Sequence, residues 1–170
     1  DYRSDDARLT LEVLKAAVAH GADAVNYAEA TGFLYDEAGR VIGATVTDRF
    51  SRRPYRLRAR KVVNAAGPWV DRIRAMNGTR GTGRGLTLTK GVHLVFDRAR
   101  FPLRQAVYFD AADGRMLFAI PREGKTYIGT TDTFYEGDPL RPTVAAEDRD
   151  YLLQAADRMF PRLGLTAHDV

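Results

Sequence analysis

"VVNAAGPWVD", Val62 to Asp71, decides how the rest of the chain is read. An apolar run gives way to small residues, Gly67 supplies a turn, and Pro68 suits a first helical position. The pattern is a strand covered on both faces that runs through a tight corner into a helix, "WVDRIRAM". Such strand–turn–helix corners are where α/β proteins place a cofactor's phosphate or ring. The G-x-G-x-x-G loop that cradles a dinucleotide pyrophosphate is absent from the chain, so the corner reads as half of a site.

Upstream of the corner, residues 4–20 carry helix grammar. Ser4 can cap the N-terminus, Asp5 and Asp6 suit the positive end of the helix dipole, and Gly21 supplies the stop. Leu9, Val13, Ala16 and Ala17 recur at helical spacing. "DAVNYAEATGFLYD", "VIGATVTD" and "YRLRARKVV" then read as three strands joined by the turn Asp36–Arg40 and an Arg-rich turn near Pro54. Connections this short make an antiparallel meander.

Downstream, "NGTRGTGRG" (Asn77–Gly85) reads as a link between domains. Four strand-like runs follow, "LTLTKGVHLVFD", "QAVYFD", "RMLFAIP" and "KTYIGTTD", with "AADG" and "REG" as tight turns. An amphipathic helix over 144–160 closes the pattern, with Leu152, Ala155, Ala156 and Met159 on its inner face and Pro161 as its stop.

The totals narrow the function classes. The 170 residues suffice for one domain or two partial ones, and 45% hydrophobic with 28% charged is an ordinary globular composition. No apolar run approaches the roughly 18 residues of a membrane-spanning helix, and no signal peptide opens the sequence. With no cysteine there is no disulfide framework, thiolate nucleophile or thiolate metal site. The abrupt start at "DYRSDDARLT" and the stop at "LTAHDV" read as an excised piece of a longer protein. The net charge of +4 comes with Arg far in excess of Lys. Arg49, Arg52, Arg53, Arg56, Arg58, Arg60 and Lys61 form a basic cluster, but Arg56, Arg58 and Arg60 alternate with Tyr55, Leu57 and Ala59, which makes most of it the wet face of a strand.

Among the three histidines, His20 lies at a helix C-terminus and His168 in the frayed end, and no metal-ligand spacing occurs. His93 in "KGVHLVF" shares a strand face with Gly91 and Val95, and Gly91 leaves room there for a close approach. The pattern alone reads it as a structural histidine, and a neutral imidazole at this place is also able to take a proton from a hydroxyl. "YIGTTDT" (Tyr127–Thr133) has two readings that stay open at this level: turn chemistry, or hydrogen-bonding groups aimed into a cleft.

Taken together, "DDARLTLEVLKAAVAHGADAVNY", "VVNAAGPWVD", "TKGVHLVFDRARFPLRQAVYF", "DGRMLFAIPREGKTYIGTTDTFYEGDP" and "AAEDRDYLLQAADRMFP" resemble the middle of the FAD-dependent glycerol-3-phosphate dehydrogenase family, in its order and over nearly the whole length. "NAAGPWVD" is shared by the wider D-amino-acid-oxidase-like flavoproteins, whereas "KGVHLV" followed by "FAIPREGKTYIGTTDT" is more specific, and Asn77–Gly85 is the poorest match. The resemblance implies an α+β class, an α/β flavoprotein fragment. The latter part of a Rossmann-like FAD domain with a β-meander (residues 1–76) leads through a linker (77–85) into part of an antiparallel-sheet substrate domain with a covering helix (86–170).

The resemblance also implies the site. FAD would run past Ala30 and Thr31 and under the corner Ala65, Ala66, Gly67, Pro68 and Trp69. His93 matches the family's active-site histidine, and Lys90, Thr130, Thr131 and Asp132 lie in motifs near the flavin–substrate cleft. The implied reaction oxidises sn-glycerol 3-phosphate to dihydroxyacetone phosphate, with quinone or oxygen as the final acceptor and no metal. The pyrophosphate loop would precede this chain and the main phosphate-binding arginines would follow Val170, so the piece alone would bind FAD poorly and not turn over. The implied place is the cytoplasm, peripherally on the inner face of the membrane. Two alternatives stand beside this one. The same fold could act on another hydroxy acid or an amine. A non-catalytic basic module could instead bind nucleic acid or an anionic membrane through the Arg49–Lys61 face.

Overall fold

Local sequence grammar sets the first elements of the computed structural model, which describes residues 5–78 and 85–170. Two compact units divide the chain, Asp1–Arg84 and Gly85–Val170. In the first, helix α1 (Asp6–Ala19) begins at Asp5, whose carboxylate accepts the Arg8 N–H at 3.1 Å, and gives way at His20 to Gly21 with φ +88°. The reading of Ser4 as the cap lies outside the described residues. No α1 residue is buried, and Leu9 and Val13 on its apolar stripe are more than half exposed.

An antiparallel meander follows, β1 (Ala28–Tyr35), β2 (Val41–Asp48) and β3 (Pro54–Arg58). Two aspartates shape its turns. Asp36 accepts the Ala38 and Arg40 N–H groups while Gly39 takes φ +75°, and Asp48 accepts the Phe50 N–H and the Ser51 hydroxyl. Gly43 lets β2 and β3 close up: a Cβ there would lie 2.1 Å from the Leu57 carbonyl oxygen.

The ladder stops at Arg58, and here the structure corrects the opening expectation. Lys61–Ala66 forms no strand among the described residues, and Val63 is 84% exposed where burial on both faces was expected. A strand exists only where a neighbour receives its N–H and C=O groups, and no described residue offers that ladder. The rest of the corner follows its pattern. Gly67 turns at φ +53°, a 3-10 turn spans Gly67–Trp69, and helix α2 covers Val70–Met76.

The second unit contains β4 (Thr89–Lys90), β5 (His93–Asp97), β6 (Val107–Asp110), β7 (Met116–Arg122), β8 (Lys125–Gly129), β9 (Thr133–Phe134) and helix α3 (Ala146–Met159). The main sheet has the order β5-β8-β7-β6, antiparallel throughout, and β4 pairs with β9 in a separate ribbon. Two runs that read as single strands are therefore each broken, one at Gly91–Val92 and one at Thr130–Asp132.

Strict alternation divides the main sheet. Leu94, Phe96, Leu117, Ala119, Thr126 and Ile128 point into the core with Leu152, Ala155 and Ala156 of α3. Phe101 and Phe160 seal its edge with ring centroids 4.9 Å apart, and the buried Thr126 hydroxyl donates to the Phe101 carbonyl at 2.7 Å. Each fully buried Leu, Ile or Phe contributes about 1.5–3 kcal/mol. Met159 was expected on the inner face of α3 but is 44% exposed, and it is Phe160 that packs against Phe101 and Phe109 at this end of the helix. The chain end is not frayed around His168. A 3-10 turn over Ala167–Asp169 is tied back by Arg100, whose Nε donates to Asp169 at 2.6 Å.

Candidate functional site

The alternation that buries Leu94 and Phe96 puts His93 on the opposite, solvent-facing side of the main sheet. There it pairs across the ladder with Gly129 at the end of β8. Phe118 of β7 and Tyr127 of β8 cluster with the imidazole, their ring centroids 5.5 and 5.6 Å from it and 6.0 Å from each other. Burial of one side of the ring, with no charged neighbour contributing, holds its pKa below the ordinary 6.5. The imidazole is thus neutral at pH 7 and competent as a proton acceptor.

Two glycines make the packing around it possible. A Cβ on Gly129 would stand 2.4 Å from the His93 Cδ2. A Cβ on Gly91 would stand 2.5 Å from the Thr130 Oγ1, so the space at Gly91 that the sequence pattern left open is taken by a threonine hydroxyl.

The neighbouring candidates divide by where their side chains go. Thr131 is buried, and its hydroxyl accepts the Val92 N–H at 3.0 Å, pinning the backbone one residue before His93. Thr130 donates to the Thr131 carbonyl at 3.0 Å. Asp132 is exposed, and its carbonyl accepts from Arg115. Lys90 is turned inward: its ammonium meets the Asp148 carboxylate at 2.5 Å and the Thr143 carbonyl at 2.9 Å. Asp148 also accepts the Ala145 N–H at 2.9 Å at the start of α3. Burial pushes the Asp148 carboxyl up, but the bonds from Lys90 and Ala145 pull it further down, below the usual carboxylate range.

In the first unit, Ala30, Ala65 and Ala66 come together, with Gly32 and Phe33, around an apolar cavity of about 150 Å³. Thr31 is the extra residue of a bulge in β1, and its hydroxyl donates to the Thr45 carbonyl at 3.3 Å. Asn64 builds the corner itself. Its Nδ2 donates to the Val70 carbonyl at 2.9 Å, and its Oδ1 accepts the Ala66 N–H at 3.2 Å. Gly67, Pro68 and Trp69 lie exposed beside it, and a Cβ on Gly67 would meet nothing within 4 Å.

Asn64, Asp148 and Gly129 are contributors that sequence reasoning passed over. Asn64 has a local signal, an Asn two residues before a backbone N–H at a turn, and Asp148 another, an acid in the first turn of a helix. Gly129 has only its isolation inside a strand run. The basic cluster is exposed throughout, and no ion pair is formed by Arg49, Arg52, Arg53, Arg56 or Arg58 among the described residues.

A model of the FAD dependent oxidoreductase family matches residues 1–170. Relatives named aerobic glycerol-3-phosphate dehydrogenase, from Staphylococcus haemolyticus and Bacillus subtilis, are 53% and 52% identical over the whole chain. The chain spans about 30% of the length of each. The X-ray structure of a glycerol-3-phosphate dehydrogenase from Bacillus halodurans complexed with FAD superposes with a TM-score of 0.92 at 60% identity, over 99% of this chain and 34% of that one.

Proposed function

This chain belongs to the FAD-dependent oxidoreductase family, and on that premise we propose that it is the central part of a glycerol-3-phosphate dehydrogenase. The whole enzyme oxidises sn-glycerol 3-phosphate at C2 to dihydroxyacetone phosphate, and bound FAD supplies the hydride acceptor. One observation carries the reading: a neutral imidazole, His93, stands on the open face of an antiparallel sheet beside two aromatic rings. There it takes the proton of the C2 hydroxyl as the hydride leaves. Thr130 and Asp132 border the substrate cleft. Lys90 and Thr131 serve it from behind by holding the backbone on either side of Gly91.

The first unit fits a dinucleotide at its corner. Small side chains line the cavity at Ala30, Ala65 and Ala66, and the space beside Gly67 is open. A cavity of about 150 Å³ takes one part of FAD, since pockets that bury a whole drug-sized ligand run to roughly 300–1,000 Å³. Ala30, Ala65 and Ala66 line that cavity, and Thr31, Gly67, Pro68 and Trp69 would meet FAD outside it. By itself the chain binds FAD weakly and does not turn over. Residues 1–76 belong to the FAD domain, 77–85 to a link and 86–170 to the substrate domain; the division of the chain into units at Arg84 and Gly85 supports this.

Electrons leave to quinone or oxygen. A quinone-linked enzyme would meet the cytoplasmic membrane peripherally; no helix among the described residues is long and apolar enough to cross a membrane. The unpaired arginines near β3 are the surface available for anionic lipid. Full-length protein loaded with FAD should reduce a dye acceptor with glycerol 3-phosphate, and His93→Ala should cut turnover far more than FAD content. A flavin-loaded protein indifferent to that substrate overturns the proposal.

A further inference from the structure

We infer that Gly129 is the positioning residue for His93: its missing side chain is the niche in which the imidazole rests. Three observations meet at this point. No hydrogen bond from a described residue holds the His93 ring. Contact alone therefore sets its orientation, and the contacts are Phe118 on one strand and Tyr127 and Gly129 on another. A Cβ at Gly129 would overlap the ring, at 2.4 Å from Cδ2, 2.9 Å from Nε2 and 3.1 Å from Cγ.

Gly129 is not among the residues with positive φ, and it sits in register opposite His93 where the β5–β8 ladder ends. A glycine paired in a strand often marks the close approach of another group. The approaching group here is the imidazole. The two atoms nearest the missing Cβ, Cδ2 and Nε2, lie on the edge of the ring that includes the nitrogen farther from the main chain. A methyl group at Gly129 would swing that nitrogen away while leaving the ladder free to form.

This inference rests on the reading of His93 as the proton acceptor. Its test uses the full-length flavoprotein and the variants Gly129→Ala, His93→Ala and the double variant. Misplacing a reacting group by about 1 Å can cost on the order of 10²-fold in rate. Gly129→Ala should therefore lower kcat for glycerol 3-phosphate by about that factor, with KM changed only a few-fold. In the His93→Ala background the same substitution should cost nothing further. The pH midpoint for carbethoxylation of His93, followed by peptide mass spectrometry, should rise toward 6.5 in Gly129→Ala, because a displaced ring regains water. If Gly129→Ala alone proves unstable, the double variant should fold as His93→Ala does, since the obstructing ring is gone. Wild-type kcat in Gly129→Ala overturns the inference. So does an equal loss in both backgrounds, or a double variant that fails to fold. A wild-type flavoprotein indifferent to glycerol 3-phosphate removes the functional reading alone. The carbethoxylation midpoint and the folding of the double variant then still decide whether Gly129 places the ring.

Discussion

Replacing Lys90 by Met should destabilise the second unit severely, and the size of the loss follows from what surrounds Asp148. That carboxylate is 4% exposed and has three partners: the Lys90 ammonium at 2.5 Å, the Ala145 N–H at 2.9 Å and the Thr133 hydroxyl at 3.4 Å. Without Lys90 it keeps one neutral donor, one long bond and no counter-charge. Stranding one member of a buried pair costs about 3–5 kcal/mol, a large part of the 5–15 kcal/mol that holds a typical domain together. Lys90→Met combined with Asp148→Leu removes both charges, and its residual cost is the lost contact to the α3 N-terminus, about 1 kcal/mol.

Urea unfolding followed by far-UV circular dichroism separates the two outcomes. With a slope of about 1–2 kcal/mol per molar urea, the single variant should lose roughly 2–3 M in midpoint and the double variant less than about 1 M. A single variant that loses under about 1 kcal/mol would refute the reasoning, as would a double variant that falls as far as the single. Either result would mean that the ammonium is not committed to Asp148 and is available to a ligand.

Four further outcomes follow from other parts of the molecule. Gly43→Ala should cost about 2–3 kcal/mol, because its Cβ meets the Leu57 carbonyl at 2.1 Å. Gly67→Ala, at φ +53° in open space, should cost only about 1–2 kcal/mol; amide exchange in β2 and β3 measures the first and thermal melts compare both. Asn64→Ala removes both bonds that shape the corner, so flavin fluorescence titration of the full-length protein should show FAD affinity down roughly 5–10-fold, about the worth of one hydrogen bond. Asp169 is held far below the usual carboxylate range by its bond to Arg100. A depressed carboxylate stabilises the fold above its unfolded pKa of about 3.9 and loses that contribution as pH falls through its folded value. Asp169→Asn should therefore lower the melting temperature at pH 7, and the difference from wild type should shrink only below about pH 4.

The sequence by itself determined several features that depend on near neighbours. The α1 stop at Gly21, the Asp36–Arg40 turn, the alternation around His93 in β5, the inner face of α3 through Ala156 and the Gly67–Pro68 corner all stand where local pattern put them. Each is decided within a few residues, by a cap, a turn conformation or a period of two.

The tertiary structure decided what lies across the ladders. Alternation told which face His93 occupies, but only the pairing register puts Gly129 opposite it and the Phe118 and Tyr127 rings beside it. The resemblance put Lys90 in a motif near the cleft, and only the fold brings Asp148, distant in sequence, against its ammonium. Val62–Ala66 read as a buried strand because its composition is that of one, yet composition supplies no partner for its N–H and C=O groups. Register and ladder pairing are set by long-range hydrogen bonds and core packing, which leave no periodic trace in the segment that depends on them.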